Sequence, residues 1–308
     1  MKRILVTGAT SFIGRVLCRQ LRDSGKEVCA LVRPLSANAN LFQGEPGIQT
    51  IAGGLETLQS SLCGIGAIDA TIHLAWDGVG SKGRADVAIQ ERNYAHSMEL
   101  IDLSAAAGCR VFVGAGSQAE YGFTSDIISE ETPCRPEIEY GKAKLRFTHD
   151  SATACRKLGI RWRMPRIFSV YGPHDHPWAL IPSLLRALMR GEAMPLSDCS
   201  QYWNYLYVDD AARALETLAE PEWEDGIYNV AGGISAPLKD FVMNVCARFR
   251  NAAAPRFGAV PHGPRGPLSL RPSVEKIMKN TGWRESTSFA EGIEKTVSFI
   301  QHDLSTSL

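Results

Sequence analysis

An excess of charge of either sign is what this 308-residue chain most plainly lacks: 33 lysines and arginines meet 33 aspartates and glutamates. No run of Lys and Arg forms a surface for tracking phosphates, so nucleic acid is not an expected partner. The eight cysteines (Cys18, Cys29, Cys63, Cys109, Cys134, Cys155, Cys199 and Cys246) make no CxxC pair and no cluster with histidine. That argues against a zinc site and suits reduced thiols, and no metal is expected. No apolar stretch approaches the length needed to span a bilayer. The run that opens at Met1 briefly has the look of a signal peptide, but it stops at Thr7-Gly8, too soon for a signal's apolar region. Internal repeats and low-complexity tracts are also missing. These absences point to a soluble, cytoplasmic chain with no membrane partner. Its 44% hydrophobic residues suffice for one large α/β unit or two modest domains.

What is present is alternation. Short apolar runs at Ile4–Val6, Val28–Val32, Ile48–Ile51, Ala70–Leu74 and Arg110–Val113 read as strands. Helical patterns fall between and after them, at Phe12–Asp23 (ended by Gly25), Arg84–Ala107 and Tyr140–Leu158, with a further strand near Ile160–Ile167. The pattern predicts an α/β fold with a doubly wound parallel sheet. After Tyr171-Gly172-Pro173, prolines and tryptophans become frequent, a helix is expected at Leu180–Arg190, and Pro255–Pro267 reads as a loop. The division expected is residues 1–170 as the sheet domain and residues 171–308 as a smaller C-terminal α/β lobe, interleaved with segments that return to the sheet.

Thr7-Gly8-Ala9-Thr10-Ser11-Phe12-Ile13-Gly14 follows the first strand and opens the first helix. Gly8 permits the tight turn and Gly14 a close helix–strand approach, while the free N–H groups of the helix start suit a pyrophosphate. In this context the string marks a Rossmann dinucleotide site, with Gly8, Thr10, Ser11, Phe12, Ile13 and Gly14 as expected contacts. The second strand ends in Val32 followed by Arg33, where NAD-binding folds carry an acid for the ribose hydroxyls. A guanidinium can instead grip a 2′-phosphate, so Arg33 favours NADP(H), with Arg15 as a weaker helper and NAD(H) still possible. The plain alternative is a solvated arginine at a strand end.

Tyr140 and Lys144 stand four residues apart and share one side of a helix. A phenol of pKa near 10 is a poor acid–base catalyst, but a neighbouring ammonium and a positive nicotinamide ring favour the phenolate. Upstream, Ala115-Gly116-Ser117-Gln118-Ala119-Glu120-Tyr121-Gly122 lies at the carboxyl edge of the sheet, where ligands bind. These strings resemble those of the extended short-chain dehydrogenases/reductases: the glycine turn is similar to TGATGFIG, with Ser11 for the middle glycine, and the second string to S-x-x-x-Y-G. The resemblance implies a catalytic set in which Ser117 hydrogen-bonds the reacting oxygen, Tyr140 exchanges the proton and Lys144 also holds the nicotinamide ribose. Ser117 as a mere turn cap is the alternative. Ile72-His73-Leu74-Ala75 resembles the segment along the cofactor, and Asn93 the family's supporting helix asparagine. Arg166 to Pro173 resembles R-x-x-N-x-Y-G-P beside the substrate, with Ser169 for asparagine. Tyr205–Asp210, Gly282-Trp283 and Glu291-Gly292-Ile293 extend the likeness to nearly the whole chain.

By the same resemblance, 4,6-dehydratases carry Asp-Glu where this chain has Gln118-Ala119, and an amide and a methyl exchange no protons. Decarboxylases carry Glu, and reductases that also epimerise at C3 and C5 carry Cys, where Ala119 stands. What remains is ketoreduction, or 4-epimerisation through a transient ketone. The NADP preference and the likeness of Gln201–Asp210 to reductases of the abequose-synthase type imply NADPH-dependent reduction of an NDP-4-keto-6-deoxyhexose. The alternatives are an NAD-dependent NDP-sugar 4-epimerase, a reductase of a small non-sugar carbonyl and a non-catalytic dinucleotide sensor. A nucleotide-sugar substrate would meet Trp76, Gln118, Ser169, Trp203, Arg265 and Arg271. Trp203 stands where many relatives have a phosphate-binding arginine. The two arginines are diphosphate ligands or, equally, loop arginines, and Trp76 walls the sugar pocket or caps the core. His174-Asp175-His176 reads as pocket lining rather than a metal pair, and Glu120 as structural or exposed. Relatives usually dimerise through their two long helices, so a homodimer is expected.

Overall fold

Nearly every apolar run of the first half forms a strand within a residue or two of its expected bounds. A computed structural model describes residues 2–80, 82–124, 126–249, 253–262 and 268–306. Its strands are β1 (Arg3–Thr7), β2 (Glu27–Val32), β3 (Ile48–Ala52), β4 (Ala70–His73), β5 (Val111–Gly114), β6 (Gly116–Ser117), β7 (Arg161–Ile167), β8 (Val170–Tyr171), β9 (Tyr202–Asn204), β10 (Leu206–Tyr207), β11 (Gly226–Val230) and β12 (Ser235–Pro237). The helices are α1 (Phe12–Asp23), α2 (Leu58–Leu62), α3 (Val87–Ala106), α4 (Glu139–Leu158), α5 (Leu180–Met189), α6 (Val208–Ala219), α7 (Leu238–Cys246), α8 (Glu275–Thr281) and α9 (Phe289–Thr306). Strands pair in the order β3-β2-β1-β4-β5-β7-β11, with β6 added beside β7. All these pairings are parallel.

Side-chain alternation explains the two covered faces. Ile4 and Val6 of β1 point to one side and join Leu17 and Leu21 of α1 and Leu215 and Leu218 of α6. Leu5, between them, points to the other side and joins Leu100 and Ile101 of α3 and Phe147 of α4. The strand order reverses between β1 and β4, which opens a crevice at their carboxyl ends. The long helix before β5 starts later than its apolar pattern suggests. Asp86 caps it by accepting from the Ile89 N–H at 3.0 Å. Arg84, expected inside that helix, lies instead in a single 3₁₀ turn, Gly83–Ala85.

The chain after residue 171 does not stay apart. Helix α6 lies beside α1 and strand β11 closes one edge of the sheet. Trp283, with Ile277 of α8, joins the α1 face of the core. A separate cluster of Tyr171, Ile181, Leu184, Leu188, Tyr207, Val242 and Ile293 holds α5, α7 and α9 together, and Phe12 and Ile13 of α1 pack against it. Among the described residues, no helix is long and apolar enough to cross a membrane.

Candidate active site

The first wall of the crevice is backbone. Gly8 has φ +68, and a Cβ there would stand 2.7 Å from the Ala75 nitrogen and 2.9 Å from the Leu74 carbonyl carbon. A Cβ on Gly14 would stand 2.1 Å from the Gly8 oxygen, so both glycines are required by close approach. Ser11 caps α1, its hydroxyl accepting from the Gly14 N–H at 3.2 Å. The hydroxyl's own proton is left to donate, and the Phe12 and Ile13 N–H groups have no carbonyl one turn back to bond. Thr10 gives its carbonyl to the Arg15 guanidinium at 3.2 Å.

Behind this wall runs a buried polar chain. The Thr7 hydroxyl and His73 Nδ1 lie 2.7 Å apart, and His73 Nε2 lies 2.8 Å from the Ser97 hydroxyl. Ser97 donates its one proton to the Asn93 carbonyl at 2.6 Å, so His73 carries its proton on Nε2 and accepts from Thr7. Burial, and after it the Lys144 charge, lower the His73 pKa to about 3 and keep the ring neutral. Asn93 is buried. Its amide accepts from the Asp77 N–H at 2.9 Å and donates to the Asp77 carbonyl at 2.8 Å, which fixes the loop leaving β4.

Ser117, Tyr140 and Lys144 meet at the other wall. The Ser117 hydroxyl stands close enough to the Tyr140 phenol to favour its ionised form, and it accepts from the Ala119 N–H at 3.2 Å. Lys144 is buried and donates to the Ala115 carbonyl at 2.7 Å. Its Nζ lies 6.0 Å from the Tyr140 ring centroid but only 3.6 Å from that of Trp76. Trp76 in turn meets the Tyr140 ring edge-on at 6.4 Å and donates from Nε1 to Gln90 at 2.7 Å. The tryptophan thus lies against both members of the pair. Within the protein itself, burial is the largest influence on Tyr140 and raises its pKa, while Ser117 and Arg84 pull it down. Burial likewise lowers the Lys144 pKa to about 7, against the opposing pull of Glu120.

A turn for a dinucleotide and a serine–tyrosine–lysine group on facing walls of one crevice also mark known proteins. The profile of the NAD dependent epimerase/dehydratase family matches residues 4–231. The chain belongs to that family. It is therefore an enzyme of the extended short-chain dehydrogenase/reductase type. Among curated relatives, a dTDP-glucose 4,6-dehydratase of Streptomyces griseus is 26% identical over 96% of this chain and 93% of its own length. A CDP-abequose synthase of Salmonella typhimurium is 25% identical over 95% and 96%. Among solved structures, UDP-glucuronic acid 4-epimerase from Bacillus cereus in complex with NAD superposes with a TM-score of 0.83 at 22% identity, covering 97% of this chain and 99% of that one.

The turn suits a nicotinamide dinucleotide: Gly8 and Gly14 leave its backbone bare of side chains, and the N–H groups that open α1 are free to meet a pyrophosphate. The exposed Arg33 guanidinium lies 3.1 Å from the Asp77 carboxylate. The remaining residues named from sequence are more scattered. Gln118 adjoins Ser117 with its amide oxygen buried and unpaired. Trp203, on β9, packs between the lobe cluster and the cluster of Tyr121 and Phe168, its Nε1 also buried without a partner. Ser169 links β7 to β8, and its carbonyl accepts from the Leu206 N–H at 3.0 Å. The Arg271 guanidinium lies 4.9 Å from the Tyr202 ring centroid and its carbonyl accepts from the Ile128 N–H at 2.9 Å. Neither contact reaches the Ser117–Tyr140–Lys144 group. Arg265 lies outside the described residues. His174 packs on Phe299 and His176 stacks on Trp178.

Two features go further than the sequence reading. Of the two alternatives for Glu120 the structural one fits, since it is fully buried and accepts from the Ser117 N–H at 2.7 Å, the Thr148 hydroxyl at 2.9 Å and Arg166 Nε at 2.9 Å. Arg84 lies over the Tyr140 ring, 4.6 Å from its centroid. A carboxylate one residue before Tyr121 is the only local signal for the first. The second has none, because its helical setting dissolves into a 3₁₀ turn.

Proposed function

We propose that the enzyme reduces an NDP-4-keto-6-deoxyhexose with NADPH. The observation that carries this reading is the composition of the reacting end: Ser117, Tyr140 and Lys144 stand together, while Gln118 and Ala119 beside them supply no acid or base for dehydration or for a second proton transfer. When bound along the crevice, the reduced nicotinamide supplies the hydride. Tyr140 gives its proton to the keto oxygen, which Ser117 also meets with its remaining hydroxyl proton. Lys144, held by the Ala115 carbonyl, keeps two further protons for the ribose hydroxyls and the emerging phenolate. Residues 171–308 form the substrate lobe in this reading, with Trp203, Ser169, Gln118 and Trp76 toward the sugar and Arg265 and Arg271 toward the diphosphate. A second copy would pack on the outer faces of α3 and α4.

One observation favours a second reading, an NAD-dependent 4-epimerase: Asp77 already holds Arg33, the residue on which the 2′-phosphate argument rests. A turnover screen separates the two. CDP-, dTDP-, UDP- and GDP-linked 4-keto-6-deoxyhexoses are offered with NADPH or NADH and nicotinamide absorbance is followed. The reductase oxidises one NADPH per sugar reduced and is purified with little bound NAD. Interconversion of saturated 4-hydroxy sugars with no net absorbance change, by protein that arrives with NAD bound, would sink the reductase reading.

A further inference from the structure

The strap between β4 and α3 carries a group that the Ser117–Tyr140–Lys144 chemistry leaves unassigned. It is pinned at both ends. Asn93 clamps the Asp77 backbone through two hydrogen bonds. Gln90 accepts from Trp76 Nε1 at 2.7 Å and donates to the Gly83 carbonyl at 2.9 Å. Gly78 and Gly83 pack backbone to backbone, so closely that a Cβ on Gly83 would stand 2.3 Å from the Gly78 Cα. The next residue, Arg84, is thereby delivered over Tyr140, its guanidinium carbon 4.6 Å from the ring centroid, with Nε buried and without a hydrogen-bond partner. A planar cation on an aromatic face is attracted by the ring's electrons, and more strongly once the phenol loses its proton.

We propose that Arg84 is a positioning residue for Tyr140: the strap holds its guanidinium on the ring face, where it fixes the phenol against Ser117 and favours the ionised form. This rests on Tyr140 as the acid–base group. The charged and titratable groups around that phenol come from four elements. Ser117 favours its ionised form from β6, and Lys144 stands one turn along α4, 6.0 Å from the ring centroid. Glu120 opposes ionisation from its 3₁₀ turn, and Arg84 favours it from the strap. Glu139, adjacent on α4, is paired with Lys142 at 2.7 Å. Arg84 is thus the cation nearest the phenol's ring, because Lys144 is turned onto Trp76.

The test compares Arg84→Met, which keeps a long apolar stem, with Arg84→Lys, which keeps a charge. Full-length protein carrying tyrosine labelled with ¹³C at Cζ is titrated by NMR, and the Tyr140 resonance is identified by its loss in Tyr140→Phe. A single opposite charge at this range moves a midpoint by about one pH unit. Arg84→Met is therefore expected to show a roughly tenfold lower phenolate-to-phenol ratio at a fixed alkaline pH, with Arg84→Lys recovering most of it. The pH midpoint of kcat moves up in parallel. An unchanged Tyr140 titration in Arg84→Met, with only KM raised, would overturn the proposal and make Arg84 a direct substrate ligand. Both variants are checked by thermal melting, and a titration unchanged in both would overturn it equally. Failure of the Tyr140 reading is seen separately, as near-native turnover by Tyr140→Phe.

Discussion

Replacing Glu120 by glutamine keeps the side chain's size and removes one charge from the interior beneath Ser117. The carboxylate is fully buried and its partner Arg166 is 2% exposed, so the pair has no solvent to fall back on. It accepts three hydrogen bonds, from Ser117 N–H, Thr148 Oγ1 and Arg166 Nε. An amide has one oxygen to set against those three donors, and its NH₂ finds an acceptor only if the Thr148 hydroxyl reverses. At least one of the Ser117 N–H and Arg166 Nε donors is left bare, and Arg166 Nη1 is already buried and unpaired. Stranding a buried guanidinium in this way costs about 3–5 kcal/mol, a fall of roughly 5–8 °C in Tm for a chain of this size. Urea unfolding of Glu120→Gln measures it directly. The double variant Glu120→Gln/Arg166→Met removes the stranded charge and should recover a good part of the loss. A single-variant loss below about 1 kcal/mol, or a double variant as unstable as the two single losses added, would refute the reasoning and show that water reaches the pair.

Three further outcomes are expected. Tyr140→Phe keeps the ring that packs on Trp76 and Arg84 but deletes the exchangeable proton, so kcat should fall about 10²–10⁴-fold with cofactor affinity preserved; near-native turnover would undo the assignment. Arg33→Ala should raise the Kd for NADPH by roughly tenfold or more and leave NADH almost untouched, as read by fluorescence titration, whereas equal losses would make Arg33 a mere partner of Asp77. His73 stays neutral in the fold down to about pH 3, while an unfolded histidine protonates below 6.5. The unfolded state therefore binds the extra proton first, and stability falls as pH drops through that window, by up to about 1.4 kcal/mol per pH unit. The stability of the wild type relative to His73→Gln, measured by denaturant titration from pH 7 to 4, should shrink on acidification; a constant difference would place His73 in contact with water.

The sequence by itself determined the layers and the two walls of the crevice. Alternating apolar runs and helical patterns specify a parallel sheet covered on both faces, because residues such as Leu5 and Val6 must bury on opposite sides. Gly8 and Gly14 mark the turn because no side chain fits there, and the spacing of Tyr140 and Lys144 puts both on one side of α4 by helix geometry alone. Only the tertiary structure decided what surrounds them. The Glu120–Arg166 pair joins residues 46 apart in the chain through a parallel pairing of β6 with β7. Lys144 is turned onto Trp76 by a loop that Asn93 and Gln90 hold from a neighbouring helix. Arg84 reaches Tyr140 because Asp86, not the apolar pattern, sets the start of α3. Periodicity records which face of an element is apolar, but electrostatics within a buried site depends on distances across elements, and those exist only once the chain has packed.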